Sequence, residues 1–258
     1  MVRPDAEARG PTGAKSRHGS PQPSGSLDLS VVIPCYQEAN RIVGTLRTIR
    51  KDLDSRNLGG WEIVVVDDGS TDGSADLVNG LDPRIRVIRF PANRGKGAAV
   101  RAGMLAACGR WRLMTDADLA TPIEEIGRLI SAMKAGADVV IGRRTGPRSR
   151  VRTPQPWYRR TMGKMFNLFM RLLFNLNYQD TQCGFKLFTA RAAGEIFPRC
   201  RVNRFAFDLE CLLLARQLGF RVAERYVVWD HVERSRVRLI ADSASMLLSL
   251  VRLRLGIH

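Results

Sequence analysis

The sequence predicts an α/β fold with a mainly parallel sheet that is flanked by helices. Short apolar runs rich in β-branched residues alternate along the chain with segments of helical periodicity, which is typical of parallel sheets. Acidic motifs stand directly after two of these runs, at 67–68 and 116–118. Because ligands of such sheets bind beyond the carboxyl ends of the strands, these motifs indicate where the functional site lies.

The predicted strands are short buried runs, of which the first is stopped by Pro34. They cover 29–34, 61–66, 85–90, 111–115, 138–142 and 220–228. The predicted helices carry apolar residues at helical spacing, and one of them has Pro122 in its first turn, where proline is tolerated. They cover 39–54, 70–79, 97–108, 122–135 and 205–218, and the segment 180–188 is predicted to be a compact polar and aromatic stretch.

The composition favours phosphate-bearing ligands. Arg and Lys number 41 against 25 Asp and Glu, so the net charge is +16, and such a surface attracts the phosphates of nucleic acids, anionic lipids or nucleotides. The five cysteines form no CxxC pair, so we expect a reducing compartment without a disulfide framework. Only three histidines accompany them, and a Cys/His zinc site is therefore not expected.

Two of the acidic motifs suit a nucleotide and its metal ion. Asp116 and Asp118 form a DxD motif, whose carboxylates can share Mg²⁺ or Mn²⁺ with substrate phosphates. Most DxD motifs are solvated turn acids, and it is the position after an apolar strand that favours the metal. Asp68 belongs to a second acidic motif, whose carboxylates can accept hydrogen bonds from a nucleobase or ribose. The alternative for this motif is an Asx turn with a helix cap, and Asp72 is the residue that best suits this structural role.

A glycine-rich basic loop, Asn93-Arg94-Gly95-Lys96-Gly97, precedes a predicted helix. Its glycines would let backbone N–H groups approach a phosphate, and the amino end of a helix favours an anion. The spacing is not that of a P-loop, and GxGxxG is absent, so neither a P-loop nucleotide site nor a nicotinamide cofactor is supported.

The order of five motifs is more specific than any one of them. VVIPCYQEAN, VVVDDGSTD, NRGKGAAVRAG, DADLATP and DTQCGFKLF together resemble family 2 inverting glycosyltransferases of the GT-A fold, over about residues 29–230. The similarity is strongest to the polyprenyl-phosphate group, which contains dolichyl-phosphate glucosyltransferases and mannose synthases. DADLAT and DTQCGFKLF look more like the glucosyl branch, and Ala120 stands where the mannose synthases carry Gln.

The resemblance implies transfer of a hexosyl unit from a nucleotide-sugar, with UDP-glucose preferred, to polyprenyl or dolichyl phosphate with inversion. Mg²⁺ or Mn²⁺ is the implied cofactor. GDP-mannose, UDP-galactose or a UDP-N-acetylhexosamine as the donor remains open, as does a non-lipid acceptor. A nucleic-acid-binding module is suggested by the charge alone and has no recognisable binding motif, so no nucleic-acid partner is expected.

The resemblance also assigns the site residues. The nucleotide-sugar is assigned to Pro34, Tyr36, Glu38, Asp68, Lys96 and Asp116. The metal is assigned to Asp116 and Asp118, of which Asp118 is also a catalytic candidate. The acceptor phosphate is assigned to Arg144 and Arg159. Gly163 stands where the family carries serine, and Lys164 or the backbone is expected to compensate for it.

Asp180 is the second catalytic candidate. We expect it to orient the acceptor or the sugar, with proton abstraction as the alternative, because a phosphate acceptor with a second pKa of about 6 is already largely ionised. Asp208 and Glu210 lie where other family 2 enzymes place acids, and a structural salt bridge is the alternative for both.

Three regions divide the chain. Residues 1–27 are expected to be a disordered basic tail without a signal peptide, 28–232 the GT-A catalytic domain and 233–258 an amphipathic helix. The amphipathic runs at about 157–176 and 233–258 favour a peripheral protein on the cytoplasmic face of a membrane, because charged residues interrupt them. The alternative for the last helix is packing against the domain or against a partner subunit, which would be a second copy or a membrane protein.

Overall fold

Seven strands form one mixed sheet in the computed structural model, which describes residues 27–144 and 177–230. Most neighbouring strands are parallel, as predicted, and β6 is the exception because it runs antiparallel between β4 and β5. The order across the sheet is β3-β2-β1-β4-β6-β5-β7. The strands are β1 Leu29–Cys35, β2 Trp61–Asp67, β3 Ile85–Arg89, β4 Trp111–Met114, β5 Val139–Arg143, β6 Lys186–Thr189 and β7 Val222–Tyr226.

Helices cover both faces of this sheet. They are α1 Ile42–Asp54, α2 Ser74–Val78, α3 Lys96–Ala106, α4 Ile126–Lys134, α5 Ala190–Ile196 and α6 Phe207–Gln217, with 3₁₀ turns at Ile123–Glu125 and Phe197–Arg199. In β1, Val31 and Ile33 pack into the core under α1 and α4, whereas Val32 packs into the core under α3, α5 and α6. Alternation along a strand that is buried on both faces explains why the run is continuously apolar.

The structure differs most from the sequence prediction at three elements. Helix α5 was not predicted. The segment 180–188 contains the first three residues of strand β6, which include a buried Lys186, so the alternation of a strand could not be recognised in it. Helix α2 begins at Ser74 instead of residue 70. Gly73 before it has a φ of 81°, and the Asp72 carboxylate accepts the Ser74 backbone N–H, so the backbone becomes helical only there.

The two amphipathic segments at about 157–176 and 233–258 lie outside the described residues. Across 27–144 and 177–230, no helix combines the length and the apolar content needed to cross a membrane.

Close packing of α3 on the sheet gives a first prediction. A Cβ atom added at Gly103 would meet Val66 Cγ2 at 2.9 Å and would also press on a methyl of Val32. Both contacts are core side chains of the strands, so Gly103→Ala should lower the free energy of unfolding by about 1–3 kcal/mol, as measured by urea denaturation.

Gly194→Ala is the matched control because Gly194 is also helical and a Cβ there meets nothing within 4 Å. This second change should raise the free energy of unfolding by up to about 1 kcal/mol, since alanine favours a helix over glycine. Equal effects of the two substitutions would contradict the close approach of α3 to β1 and β2.

Candidate active site

The carboxyl ends of β1, β2 and β4 bring the assigned nucleotide-sugar residues to one edge of the sheet. The chain places β2 on one side of β1 and then crosses over to place β4 on the other side. Such a reversal opens a crevice beyond the strand ends, which is the usual ligand position in open α/β sheets. Five of the six assigned residues lie on or just after these strands, namely Pro34, Tyr36, Glu38, Asp68 and Asp116.

The loop after β1 is fastened to the loop after β2. The backbone N–H groups of Glu38 and Ala39 donate to Ser74 Oγ at 2.8 Å and to Asp72 Oδ2 at 3.0 Å. This geometry gives Asp72 the structural part. Glu38 forms an ion pair with Arg41 at 2.7 Å, and the Tyr36 ring remains 42% exposed at the rim of the crevice.

Asp68 holds the glycine-rich loop. Its carboxylate accepts the backbone N–H groups of Arg94 at 2.7 Å and of Gly95 at 2.9 Å, and burial raises the pKa of Asp68 despite these bonds. Gly95 has a φ of 103°, and a Cβ there would press on the backbone carbonyl of Asn203, which also accepts the N–H of Ala98. Three backbone donors of this segment therefore bind the protein itself, whereas the sequence suggested that the loop cradles a phosphate.

Lys96 turns from this loop toward the DxD motif. Its ammonium group lies 2.6 Å from Asp116 Oδ1. Burial alone lowers the pKa of Lys96, but the carboxylates of Asp116, Asp208 and Asp118 outweigh it and raise that pKa. Asp118 Oδ1 accepts the Ala120 N–H at 3.0 Å. Burial, and then repulsion by Asp116, raise the pKa of the Asp118 carboxyl.

The DxD motif fits a divalent cation. Asp118 is partly buried beside Asp116, and burial followed by repulsion from Asp116 disfavours the charge of the Asp118 carboxyl. A bound cation would stabilise that charge. In the ranges that the structure describes, no three His, Cys, Asp or Glu side chains converge on one point. A cation bound by the two carboxylates would thus complete its shell with water or substrate oxygens, as Mg²⁺ commonly does.

Gly184 fixes the place of Asp116. A Cβ at Gly184 would meet Asp116 Cγ at 2.8 Å and would press directly on its carboxylate. Because this obstacle is the end of a side chain, Gly184→Ala should leave the free energy of unfolding nearly unchanged but displace the carboxylate. We expect the affinity for Mn²⁺ in the presence of a nucleoside diphosphate to fall by about tenfold or more, as measured by calorimetry.

Gly44→Ala provides a control for the Gly184 variant, since a Cβ at Gly44 meets nothing within 4 Å. If Gly184→Ala bound Mn²⁺ as tightly as the control, the position of Asp116 would be unimportant for the metal ion.

Arg144 and Asp180, assigned to different roles, form one ion pair. Arg144 Nε and Nη2 donate to the two carboxylate oxygens at 2.8 Å each, and the Arg144 backbone N–H adds a third bond at 2.9 Å. Burial alone raises the pKa of Asp180, but the Arg144 guanidinium outweighs it and holds that pKa below its usual range. An ionised carboxylate engaged by three donors is a weak base, and the geometry favours the orienting role.

The other acceptor-site residues fall outside the described part of the chain. Arg159, Gly163 and Lys164 lie between residues 144 and 177, so their assignment to the acceptor phosphate remains a prediction.

Asp208 and Glu210 both have structural partners. Asp208 is 5% exposed and pairs with Lys186, which is 1% exposed and also donates to the Cys183 carbonyl at 2.6 Å. Glu210 accepts the backbone N–H groups of residues 201 and 202, each at 2.9 Å. A structural role was one of the two predictions for both acids. Lys186 was not predicted, and its only signal in the sequence is a basic residue within the apolar run FKLF.

A pocket lies between the DxD motif and Arg144. Asp116 and Arg144 both line it, and Thr121, Gln182 and Trp229 contribute further walls. None of these three residues was predicted from the sequence. Thr121 and Gln182 belong to the motifs DADLATP and DTQCGFKLF, which are the signals that could have found them. Trp229 has no such signal, because only the pairing of β7 with β5 brings it here.

Comparison with known proteins agrees with the motif resemblance. The model of the family described as "Glycosyl transferase family 2" matches residues 30–197. The chain is 34% identical over 246 residues to the dolichyl-phosphate beta-glucosyltransferase of Dictyostelium discoideum, covering 90% of this chain and 75% of that one. The corresponding protein of Homo sapiens is 32% identical over 230 residues, which cover 83% and 71%.

Solved structures share the fold. Glucosyl-3-phosphoglycerate synthase from Mycobacterium tuberculosis, in complex with Mn²⁺, UDP and glucosyl-3-phosphoglycerate, superposes with a TM-score of 0.67 at 19% identity, covering 90% of this chain and 81% of that chain. Mannosyl-3-phosphoglycerate synthase from Rubrobacter xylanophilus superposes with a TM-score of 0.62 at 20% identity, covering 88% and 73%. These likenesses confirm the predicted fold class.

Proposed function

Because the chain is a glycosyltransferase that belongs to glycosyl transferase family 2, we propose that it transfers glucose from UDP-glucose to a polyprenyl phosphate of the dolichyl type. The curated relatives with which it shares 32–37% identity are named dolichyl-phosphate beta-glucosyltransferases. The acceptor phosphate oxygen attacks the anomeric carbon while the bond to the diphosphate breaks on the opposite side, so the configuration at that carbon inverts.

The arrangement of charge around the pocket carries this proposal. Asp116, paired with Lys96, lies at one wall, and Arg144 lies at another. A diphosphate with its cation suits the first wall, and a second phosphate suits the guanidinium. Two anions that approach each other repel, and fixed charges of the protein offset this repulsion in a partly buried site.

Each assigned residue has a part in this reaction. Tyr36, Pro34, Glu38 and Asp68 shape the site of the nucleoside, the last by holding the loop that presents Lys96. Asp116 and Asp118 would hold Mg²⁺ or Mn²⁺, which when bound neutralises the charge of the leaving diphosphate. Lys96 stabilises that same charge from the protein side.

The acceptor side needs little proton transfer. A monoester phosphate is largely a dianion near neutral pH, since its second pKa is about 6. Arg144, Arg159 and Lys164 are proposed to bind this phosphate, and Asp180 keeps the Arg144 guanidinium in place through two parallel hydrogen bonds.

We further propose that the enzyme meets its lipid as a peripheral protein at the cytoplasmic face of a membrane. The amphipathic patterns at about 157–176 and 233–258 support this, since both carry basic residues beside apolar ones. Flotation with vesicles that contain anionic lipid should carry the protein upward at low salt. Failure to float with any vesicle would overturn peripheral attachment.

The reaction is tested directly with purified protein, Mn²⁺ or Mg²⁺, a short polyprenyl phosphate and a panel of UDP- and GDP-sugars, with mass spectrometry as the readout. We expect a glucosyl lipid from UDP-glucose that disappears with a chelator. If lipid product formed only from another nucleotide-sugar, that nucleotide-sugar would be the donor instead of UDP-glucose. Hydrolysis of the nucleotide-sugar without lipid product, or transfer of the sugar to a soluble phosphate such as 3-phosphoglycerate, would contradict the proposal that a polyprenyl phosphate is the acceptor.

A further inference from the structure

Three side chains that line the pocket between the DxD motif and Arg144 have not been assigned to the donor or to the acceptor. Thr121, Gln182 and Trp229 line it beside Asp116 and Arg144. Thr121 is 7% exposed, and the Arg144 guanidinium carbon lies 5.9 Å from the centre of a Trp229 ring. If phosphates bind at Asp116 and at Arg144, the group that is transferred between them would lie in the pocket that these three side chains line.

Backbone hydrogen bonds on both sides hold Trp229 in place. The N–H of Asp230 donates to the Ala120 carbonyl at 2.8 Å, and the N–H of Val227 donates to the Arg143 carbonyl at 3.2 Å. The first bond joins the Trp229 segment to the loop of the DxD motif, and the second joins it to the end of β5. The backbone on each side of Trp229 is therefore held relative to both ends of the pocket.

The three side chains suit a pyranose ring. An indole offers a wide apolar face on which the C–H groups of a sugar can lie. The hydroxyl of Thr121 and the amide of Gln182 can each donate and accept, as sugar hydroxyls require. Ligand pockets commonly combine an aromatic wall with a few placed polar groups.

We propose that Trp229, Thr121 and Gln182 form the subsite for the hexosyl ring of the donor, with the Trp229 indole as its platform. This inference rests on the proposed function and adds to it the residues that bind the sugar. The alternative occupant of the same wall is the first isoprene unit of the acceptor, and the experiment separates the two.

The test compares UDP with UDP-glucose as ligands of the full chain in the presence of Mn²⁺ and without acceptor. Calorimetry should show that Trp229→Ala lowers the affinity for UDP-glucose by about tenfold, while the affinity for UDP stays within about twofold of wild type. Trp229→Phe should keep most of the affinity for UDP-glucose because it retains an aromatic face. Thr121→Val, which removes one hydroxyl, should lower the affinity for UDP-glucose by about fivefold and leave the affinity for UDP unchanged.

The control is Trp111→Phe. Trp111 is 7% exposed and begins β4, at the opposite edge of the sheet from the pocket, so neither affinity should change. Circular dichroism of each variant establishes that it is folded, and Trp229→Phe serves if the alanine variant is not.

Three results would contradict the proposed subsite. Trp229→Ala and Thr121→Val could lower the affinities for UDP and UDP-glucose equally, or lower neither affinity. They could also change only the KM for polyprenyl phosphate in the glycolipid assay. The last of these would assign Trp229 to the lipid. A wild-type protein that binds UDP but no UDP-hexose would overturn it too. Lack of glycolipid from a wild-type protein that shows the expected binding differences would instead overturn the proposed acceptor and leave the subsite standing.

Discussion

Replacing Asp118 by asparagine should lower the rate of glycolipid formation by roughly 10²–10³-fold, a typical loss when one preorganised electrostatic contact to the reacting centre is removed. The amide has nearly the same shape as the carboxyl, so the hydrogen bond from Ala120 can remain. What disappears is half of the negative charge that would hold a divalent cation beside the diphosphate. The measurement is the initial rate of lipid product by mass spectrometry at saturating UDP-glucose and Mn²⁺.

The same substitution should not weaken the fold. Burial and the neighbouring Asp116 raise the pKa of the Asp118 carboxyl, which means that its charge is disfavoured in the folded protein without a cation. Urea denaturation without metal should thus give an unchanged or slightly higher free energy of unfolding for Asp118→Asn. Loss of activity together with unchanged stability would assign the effect to the charge of Asp118.

Asp76→Asn is the matched control for Asp118→Asn. Asp76 is an acid of α2 whose side chain is 74% exposed and forms an ion pair with Arg89 on the surface. Its replacement should leave the rate within about twofold of wild type, since exposed pairs contribute little. Comparable rates for Asp118→Asn and Asp76→Asn, both insensitive to a chelator, would remove the metal from the proposed reaction.

The donor side of the site was predictable because its residues follow strands that the sequence reveals. The continuous apolar run of β2 and the shorter one of β4 locate their own carboxyl ends, and Asp68, Asp116 and Asp118 come just after them. Parallel pairing with β1 then brings these ends together without further information.

What the sequence could not show are contacts between segments whose pairing has no local pattern. Strand β6 is four residues long and antiparallel, and it brings the 180–186 segment against both the DxD motif and Arg144. The Arg144–Asp180 pair and the contact of Gly184 with Asp116 are consequences of this insertion. A glycine or an acid in a motif does not reveal which neighbour it touches.

The glycine-rich loop illustrates a different limit. Gly95 and Gly97 were interpreted as making room for a phosphate, which is a common reason for glycine beside a helix start. In the structure, Cβ atoms at these positions would press on the backbone of residues 202–204, so the glycines make room for the protein itself. Composition alone does not distinguish the two.

The buried pair of Lys186 and Asp208 gives the largest expected change in stability. Both side chains are buried, with exposures of 1% and 5%. Lys186→Met keeps the length and the apolar stem of the side chain but removes the ammonium group that pairs with the buried Asp208 carboxylate, which is then left with the attraction of Lys96. We expect the free energy of unfolding to fall by about 3–5 kcal/mol, measured by urea denaturation.

Adding Asp208→Leu to Lys186→Met should restore most of that loss, because replacing a whole buried ion pair by apolar residues is often neutral or stabilising, by up to about 4 kcal/mol. Arg89→Met serves as the control, since it breaks the exposed pair with Asp76 and should cost at most about 1 kcal/mol. If Lys186→Met cost no more than Arg89→Met, the pair would be solvated in solution. If the double variant stayed as unstable as the single one, the loss would come from poor packing of the methionine, and the charge of Asp208 would not be its cause.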